Sequence, residues 1–461
     1  MTHLLPRSDP DQQGLPAAAI ARFVRALDDI PHIHTLTVVR HGHVVAEFAR
    51  APYARENPHA LYSVSKSFTA LAVGLAIEEG RFGLEDRVVD LLADIAPQHP
   101  SPRLEALRVR HLLTMTTGHD AEPWPEDEHW ARGVLVAELA HEPGTHWMYN
   151  TPATHLLSQI VQTTTGERLL DYLTPRLFDP LGFDAPTWLH SQAGVDAGGF
   201  GLSLRAEELA AFGQLLLQRG RWHDRQLVPA EWIDQATSRQ VANGVPSSSD
   251  WDQGYGYQFW QCRHGAYRAD GAFGQYVVVL PDHDTVVTMT GGLRDMARPL
   301  DALWETLLPA FDTVEDAADI PAPRAIPASG GERRDLQKTL EYDGPVRRLG
   351  LSEDVLDLDG LALRFSPTEW VTGSAMPLLE RDEVYGDLVA VSGGWHGDRF
   401  VALVRALEDA VTFRLVLTAT GRLTITRDVG FTGSRVWQGD PVAPQSASAP
   451  AAIDHHSVVS P

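Results

Sequence analysis

Cysteine, lysine and long apolar runs are all scarce in this sequence of 461 residues. The single cysteine, Cys262, excludes an internal disulfide and any metal cluster built on several thiolates. No apolar run approaches the roughly 20 residues that a membrane-spanning helix needs. The first residues lack the basic start and apolar segment of a signal peptide. We therefore expect a cytoplasmic protein that does not act at a membrane.

Acidic residues exceed basic ones by a wide margin. The chain carries 61 Asp and Glu against 38 Lys and Arg, a formal net charge of −23. Such an excess repels the phosphates of nucleic acids and anionic lipid surfaces. The length allows two or three domains with a large core. We expect a small-molecule substrate and no nucleic-acid partner, and the oligomeric state stays open.

Lysine occurs only twice, as Lys66 and Lys338, so that 36 of the 38 basic residues are arginines. Lys66 stands three residues after Ser63, in the segment Leu-Tyr-Ser-Val-Ser-Lys-Ser-Phe. Arginine supplies a positive charge but does not lose its proton in a protein, whereas a buried lysine can. A lysine at this position therefore indicates proton abstraction, with Ser63 as the nucleophile and Lys66 as its base.

The residues that follow support this interpretation. An apolar stretch over residues 67–77 predicts a helix that ends at Gly80. Residues three positions apart share a helix face, so Ser63 and Lys66 would meet at its first turn. Apolar neighbours would lower the pKa of the lysine. Ser-x-x-Lys also arises often by chance, and the competing interpretation is a capping serine beside an ordinary cation.

Strand signals lie on both sides of a helix-rich segment. Residues 16–30 predict an amphipathic helix, and residues 35–49 predict a β-hairpin. Helical patterns continue to about residue 240, and a second strand pair follows over residues 274–290. We therefore predict an α+β domain over residues 1–311. Its sheet combines both ends of this segment, with a helical subdomain inserted between them.

Composition changes after residue 311. Residues 312–334 are rich in Ala, Pro, Asp and Gly and predict a linker. Residues 335–440 alternate apolar and polar side chains with a period of two, which predicts a separate antiparallel β domain without readable chemistry of its own. Residues 441–461 predict a disordered tail.

Three further motifs follow Ser63 in order: Arg110-His-Leu-Leu-Thr-Met-Thr-Thr-Gly118, Tyr149-Asn-Thr, and Gly271-Ala-Phe-Gly-Gln275. Together with Ser-x-x-Lys they resemble the serine β-lactamase-like hydrolases. The branch is the one with class C β-lactamases, β-lactamase-like esterases and 6-aminohexanoate-dimer hydrolases. The resemblance covers about residues 15–310. It implies the β-lactamase/transpeptidase-like fold, an antiparallel sheet flanked by helices with an inserted helical subdomain.

The resemblance also implies roles for particular residues. Ser63 would be the acyl-forming nucleophile, Lys66 its base, and Tyr149 the group that shuttles the proton to the leaving group. The backbone N–H groups of Ser63 and Ala272 would form the oxyanion hole. No metal and no cofactor is implied. The candidate substrate-binding residues are Asn150, Thr151, Asp270 and Gly271.

The sequence departs from the family pattern at two positions. Thr151 stands where Tyr-x-Asn has its asparagine, and Ala269-Asp270-Gly271 matches the Lys-Thr-Gly triad without its lysine. In the family that lysine helps to hold a substrate carboxylate. We therefore expect poor recognition of penicillin-like anions and a preference for neutral or amine-bearing esters and amides. The nearby residues that could replace the lost cation are Arg263, His264 and Arg268.

The expected activity is hydrolysis of an ester or amide. The alternatives are a β-lactamase or D-aminopeptidase, and a ligand-binding pseudo-hydrolase that keeps the pocket without turnover. Trp124 and Trp130 are candidates for an aromatic cleft wall, although tryptophans more often fill cores. His141 and His146 do not predict a metal site, because Pro-Gly between them forbids the helix of a zinc motif.

Overall fold

The computed structural model describes residues 3–124, 129–245, 247–316, 318–374, 386–430 and 436–442. Up to residue 311 the described strands are β1 (Ile33–Arg40), β2 (His43–Ala49), β3 (His59–Ala60), β4 (Thr187–Trp188), β5 (Leu202–Leu204), β6 (Arg221–Trp222), β7 (Arg225–Gln226), β8 (Trp260–Gln261), β9 (Tyr267–Gly271), β10 (Gln275–Leu280) and β11 (Thr285–Gly291). The helices are α1 (Ala17–Asp28), α2 (Ser65–Glu78), α3 (Val88–Leu91), α4 (Pro102–Ala106), α5 (Val109–Leu113), α6 (Trp130–Val136), α7 (Thr151–Thr165), α8 (Leu169–Leu173), α9 (Asp179–Leu181), α10 (Ala206–Leu217), α11 (Ala230–Thr237) and α12 (Ala297–Ala302).

The main sheet joins the two ends of this segment. Its strand order is β2–β1–β11–β10–β9–β8, and β1 pairs antiparallel with β11, with Leu36 opposite Met289. Successive side chains point to opposite faces of a strand. Val38 therefore packs in a core with Phe23 of α1, whereas Val39 packs in the core that contains Phe68 of α2. Helices cover both faces, and the predicted α+β fold is confirmed.

The helix α2 runs through the largest core. Twelve of its residues, from Ser65 to Ala76, are buried. The ring of Phe68 stacks on Phe212 of α10 with centroids 3.8 Å apart. A helix that is apolar on all sides belongs in the interior. Packing on every side therefore fixes the N-terminal end of α2. None of the described helices is long and apolar enough to span a bilayer.

The C-terminal part forms two further antiparallel sheets. The first contains β12 (Lys338–Glu341), β13 (Arg348–Leu351), β14 (Val355–Leu358) and β15 (Leu361–Arg364). The second contains β16 (Val371–Ser374), β17 (Leu388–His396), β18 (Arg399–Ala406), β19 (Thr412–Leu417), β20 (Leu423–Arg427) and β21 (Val436–Gly439). These strands confirm the antiparallel β structure that the period of two predicts.

The structure describes most of the predicted linker and the first residues of the predicted tail. In the predicted linker, residues 312–334, the described residues form no helix or strand, although Glu332 pairs with Trp395 in an isolated bridge. At the start of the predicted disordered tail, Val442 N–H donates to the Glu341 carbonyl at 2.8 Å. The rest of that tail, residues 443–461, lies outside the described residues.

Candidate active site

Ser63 and Lys66 meet at the N-terminal end of α2. Residues Tyr62–Val64 form a 3₁₀ turn that leads directly into the α-helix. Ser63 is partly exposed, whereas Lys66 is only 1% exposed. Lys66 Nζ lies 3.0 Å from Ser63 Oγ. The structure therefore brings the predicted nucleophile and base into hydrogen-bond contact, although Ser63 precedes the helix by two residues.

The surroundings of Lys66 favour its neutral form. Burial lowers the pKa of Lys66 from 10.5 to about 7, against the opposing effect of the Glu122 and Asp270 carboxylates. Nζ also lies 2.7 Å from the Gly199 carbonyl and 3.2 Å from Thr151 Oγ1. A neutral amine has two N–H groups and one lone pair. It can therefore donate to these two oxygens and accept a hydrogen bond from the Ser63 hydroxyl.

Tyr149 lies against both side chains. Its phenol hydrogen-bonds with the Ser63 side chain, and its ring centre is 4.9 Å from Lys66 Nζ. Burial raises the pKa of Tyr149 well above its usual range, so the phenol keeps its proton. The ring stacks on Trp260 with centroids 5.4 Å apart. This arrangement suits a proton donor.

Asn150 and Thr151 have different surroundings. Asn150 is fully buried and caps α7, because its Oδ1 accepts from Ala153 N–H at 3.0 Å. Its Nδ2 lies 3.2 Å from both Thr117 Oγ1 and His119 Nδ1. The amide is therefore occupied within the protein, which argues against the predicted contact with substrate. Thr151, in contrast, contacts Lys66 directly.

Glu122 is a site residue that the sequence reasoning missed. Its Oε1 accepts the N–H of Thr151 at 2.6 Å, and its Oε2 accepts from Trp124 Nε1 at 3.1 Å. It is one of two carboxylates that act on the pKa of Lys66. Acidic residues between 119 and 130 are visible in the sequence. No local pattern indicates which of them reaches α7.

The turn between β9 and β10 lies beside the nucleophile. A Cβ atom on Gly271 would stand 2.3 Å from the carbonyl oxygen of Leu61, so only glycine permits this approach. Ala272 and Phe273 follow and pack against the core that contains Tyr62. The rings of Phe273 and Tyr62 meet edge to face with centroids 5.1 Å apart. The backbone of Ala272 therefore lies next to the Ser63 turn.

The candidate cations near this turn are already engaged. Arg268 Nε donates to Asp270 at 2.7 Å, and both side chains are buried. Arg263 pairs with Asp250 at 2.8 Å and with Asp301 at 2.6 Å. His264 lies in an exposed turn beside the Trp304 ring. Neither arginine offers an uncompensated charge in place of the missing lysine.

The C-terminal β structure contacts the nucleophile turn, although the sequence indicates no chemistry there. The Tyr62 hydroxyl donates to Asp409 Oδ1, in the turn between β18 and β19. The Ala60 N–H donates to the Glu408 carbonyl at 2.8 Å. Tyr62 has φ +49°, a conformation that costs a non-glycine residue about 1–2 kcal/mol. The Asp409 contact therefore acts on a constrained residue adjacent to Ser63.

Two tryptophans stand at the edge of the site. Trp124 is 52% exposed, and its ring lies 6.1 Å from that of Phe200. Trp130 stacks on the same ring at 5.9 Å. Phe200 follows Gly199, whose carbonyl contacts Lys66. Both tryptophans therefore line an aromatic surface next to the site and are not packed in the core.

One group of residues could hold a metal ion. Asp120, His141 and His146 offer ligand atoms that all lie within 4.8 Å of one another. His141 Nε2 already shares a hydrogen bond of 2.6 Å with Asp120 Oδ1. The two imidazole rings stack with planes only 27° apart. His141 is therefore already hydrogen-bonded and stacked within this group.

Taken together, the site combines a serine at a helix start, a buried lysine of lowered pKa three residues later and a protonated tyrosine. Comparison with known proteins agrees: a family model described as beta-lactamase matches residues 11–302. The chain belongs to the beta-lactamase family. Family membership supports a hydrolase-type activity and confirms the resemblance that the motifs indicate.

Individual relatives cover this region to different extents. A 6-aminohexanoate-dimer hydrolase from Paenarthrobacter ureafaciens is 23% identical over 66% of this chain and 89% of its own length. A lovastatin esterase from Penicillium rubens is 26% identical over 26% of this chain and 37% of its own length. The octameric penicillin-binding protein homologue from Pyrococcus abyssi has a TM-score of 0.50 at 16% identity, over 88% of this chain and 97% of its own.

Proposed function

We propose that this protein is a serine hydrolase that cleaves an ester or amide bond through a Ser63 acyl-enzyme. The observation that carries the proposal is the 3.0 Å contact between Ser63 Oγ and Lys66 Nζ, in surroundings that lower the pKa of Lys66 to about 7. A base whose pKa lies near the working pH is unprotonated in much of the protein and still binds a proton well. An arginine in its place would keep the charge and lose the base.

In the proposed reaction Ser63 Oγ attacks the carbonyl carbon while its proton passes to Lys66 Nζ. The N–H groups of Ser63 and Ala272 donate to the carbonyl oxygen as it gains negative charge. Tyr149 passes its proton to the leaving oxygen or nitrogen and is reprotonated from Lys66. Water then attacks the acyl ester, with the same groups acting in reverse, and restores Ser63.

The charges near the site support neutral or amine-bearing substrates over anionic ones. Glu122 and Asp270 both act on Lys66, and the nearby arginine Arg268 is paired with Asp270. An anionic substrate would meet the Glu122 carboxylate, and the charge of Arg268 is already compensated by Asp270. The names of the curated relatives, a dimer hydrolase and an esterase, support hydrolysis in general and do not bear on the charge of the substrate.

The test is intact-protein mass after brief exposure to a fluorophosphonate, together with turnover of short-chain p-nitrophenyl esters. Wild type should gain one adduct and hydrolyse the esters. Ser63→Ala and Lys66→Arg should lose both activities, whereas the control Lys338→Arg should keep them. No adduct and no turnover in the wild type would favour the pseudo-hydrolase. Nitrocefin hydrolysis faster than ester turnover would favour a β-lactamase.

A further inference from the structure

A second cavity lies on the C-terminal β structure. It is open to solvent, has a volume of about 890 Å³ and is bordered by the outer face of the β16–β21 sheet, residues 324–329, Asp28, Pro31 and His32. None of the residues around Ser63 lines it. Its size falls within the range of small-molecule sites, roughly 300–1,000 Å³.

Strand alternation creates the floor of this cavity. In β18, the side chains of Phe400, Ala402 and Val404 pack in the core of the C-terminal structure. The intervening Leu403 and Arg405 point to the opposite face and line the cavity. Val401, Arg414 and Val416 do the same. The cavity therefore has an apolar floor with guanidinium groups set into it.

Positive charge dominates the lining. Five arginines and two aspartates line the cavity, so its formal charge is +3 in a chain of net charge −23. One aspartate, Asp28, is already paired with Arg50 at 2.8 Å. The charged lining residues are Asp28, Arg50, Arg324, Asp398, Arg399, Arg405 and Arg414.

Arg405 is the most informative of these residues. It is 4% exposed, and its guanidinium finds neutral acceptors: His32 Nδ1 at 3.2 Å and Thr412 Oγ1 at 3.2 Å. Burial lowers the pKa of His32 to about 4, so the imidazole is an uncharged acceptor at neutral pH. Among the described residues no carboxylate forms an ion pair with Arg405, although the Asp428 carboxylate interacts with it electrostatically, and its Nε makes no hydrogen bond. A buried charge that is only partly compensated is costly.

The exposed arginines of the floor also lack a direct carboxylate contact. Within the described part of the chain, neither Arg399 nor Arg414 forms an ion pair, although Asp428 interacts electrostatically with Arg414. Guanidinium groups bind carboxylates and phosphates through paired N–H donors. Next to them, Ile326, Leu403 and Val416 offer apolar surface. Three arginines without a directly bonded carboxylate beside an apolar surface suit a ligand that carries both characters.

We propose that this cavity binds an organic anion, in which a carboxylate or phosphate group is attached to an apolar body. The anionic group lies against Arg405 and Arg414, and the apolar body covers Leu403 and Val416. The site is independent of the proposed hydrolase activity, because it shares no lining residue with the Ser63 site. Its test therefore measures binding and not turnover.

The experiment is calorimetric titration of the full-length protein with octanoate, octyl phosphate, inorganic phosphate and octylammonium. Because replacement of buried Arg405 endangers folding, the variant is Arg399→Glu/Arg414→Glu, with thermal unfolding as a check. Arg348→Glu is the matched control, since Arg348 is an exposed arginine of β13 outside the cavity.

We expect octanoate or octyl phosphate to bind at one site. The ligand with the lower Kd identifies the preferred anionic group. The double variant should weaken this binding by more than tenfold and the control by less than twofold. Inorganic phosphate that binds as tightly as octyl phosphate would overturn the role of the apolar floor. Absence of saturable binding, equal binding of octylammonium, or equal weakening by Arg348→Glu would overturn the anion site.

Discussion

Replacement of Lys66 by methionine tests whether the proposed base is neutral in the folded protein. The pKa of Lys66 is about 7 when folded, against 10.5 for an ordinary lysine. Between these two pH values the unfolded chain holds a proton that the folded protein has released. Stability rises with pH wherever the unfolded state binds more protons. The wild type should therefore become more stable as pH rises from 7 towards 10.5.

The size of the effect follows from the same two values. One proton contributes at most about 1.4 kcal/mol for each pH unit. Because Lys66 is half protonated near pH 7, its contribution to the free energy of unfolding grows by about 2 kcal/mol between pH 7 and pH 9. Lys66→Met lacks this contribution. In the difference between the two proteins all other titrating groups cancel, and lost hydrogen bonds add only an offset.

The measurement is urea unfolding at pH 7, 8 and 9, followed by tryptophan fluorescence. The free energy of unfolding of Lys66→Met relative to wild type should fall by about 2 kcal/mol across this range. Lys338→Met, which removes the other lysine, is the matched control. Parallel curves for wild type and Lys66→Met would show that Lys66 keeps its proton when folded. That result would refute its role as the general base.

Two further substitutions test contacts that hold the site. Glu122→Gln keeps an acceptor for Thr151 N–H but removes a charge that raises the pKa of Lys66. In a plot of kcat/KM against pH, the midpoint of the acidic limb should move to lower pH by about half a unit. Glu142→Gln is the control. A midpoint that moves to higher pH would contradict the argument. Asp409→Asn weakens the bond from Tyr62. The kcat of ester hydrolysis should fall about tenfold, while KM stays within twofold of the wild-type value. An unchanged kcat would exclude a positioning role for Asp409.

The parts of the fold with local signals were predictable from sequence. The alternation in residues 335–440 predicts strands because a period of two matches one buried face. The hairpin at 35–49 was predictable from β-branched residues on both sides of a His-Gly-His turn. Ser63 and Lys66 were predictable as a pair for a similar reason. Their spacing of three brings them together in a 3₁₀ turn followed by an α-helix, as it would in a continuous helix.

The contacts that complete the site have no local signal. The Gly199 carbonyl lies 133 positions from Lys66 in the chain, and Asp409 lies 347 positions from Tyr62. Such pairs arise from tertiary packing, which periodicity does not report. The asparagine after Tyr149 shows the reverse problem: a polar residue next to the motif positions serves as a helix cap. Residue type alone does not separate a cap from a substrate contact.

The hairpin of β18 and β19 contacts both the turn that carries Ser63 and the cavity on the C-terminal β structure. One face of the hairpin packs into a core that also contains Tyr62. Its turn carries Asp409, which accepts from Tyr62 beside the nucleophile. Its opposite face carries Arg405 and Arg414, which line the cavity. Because one hairpin contributes to both places, the turn that carries Ser63 packs against a β structure that the catalytic motifs do not include.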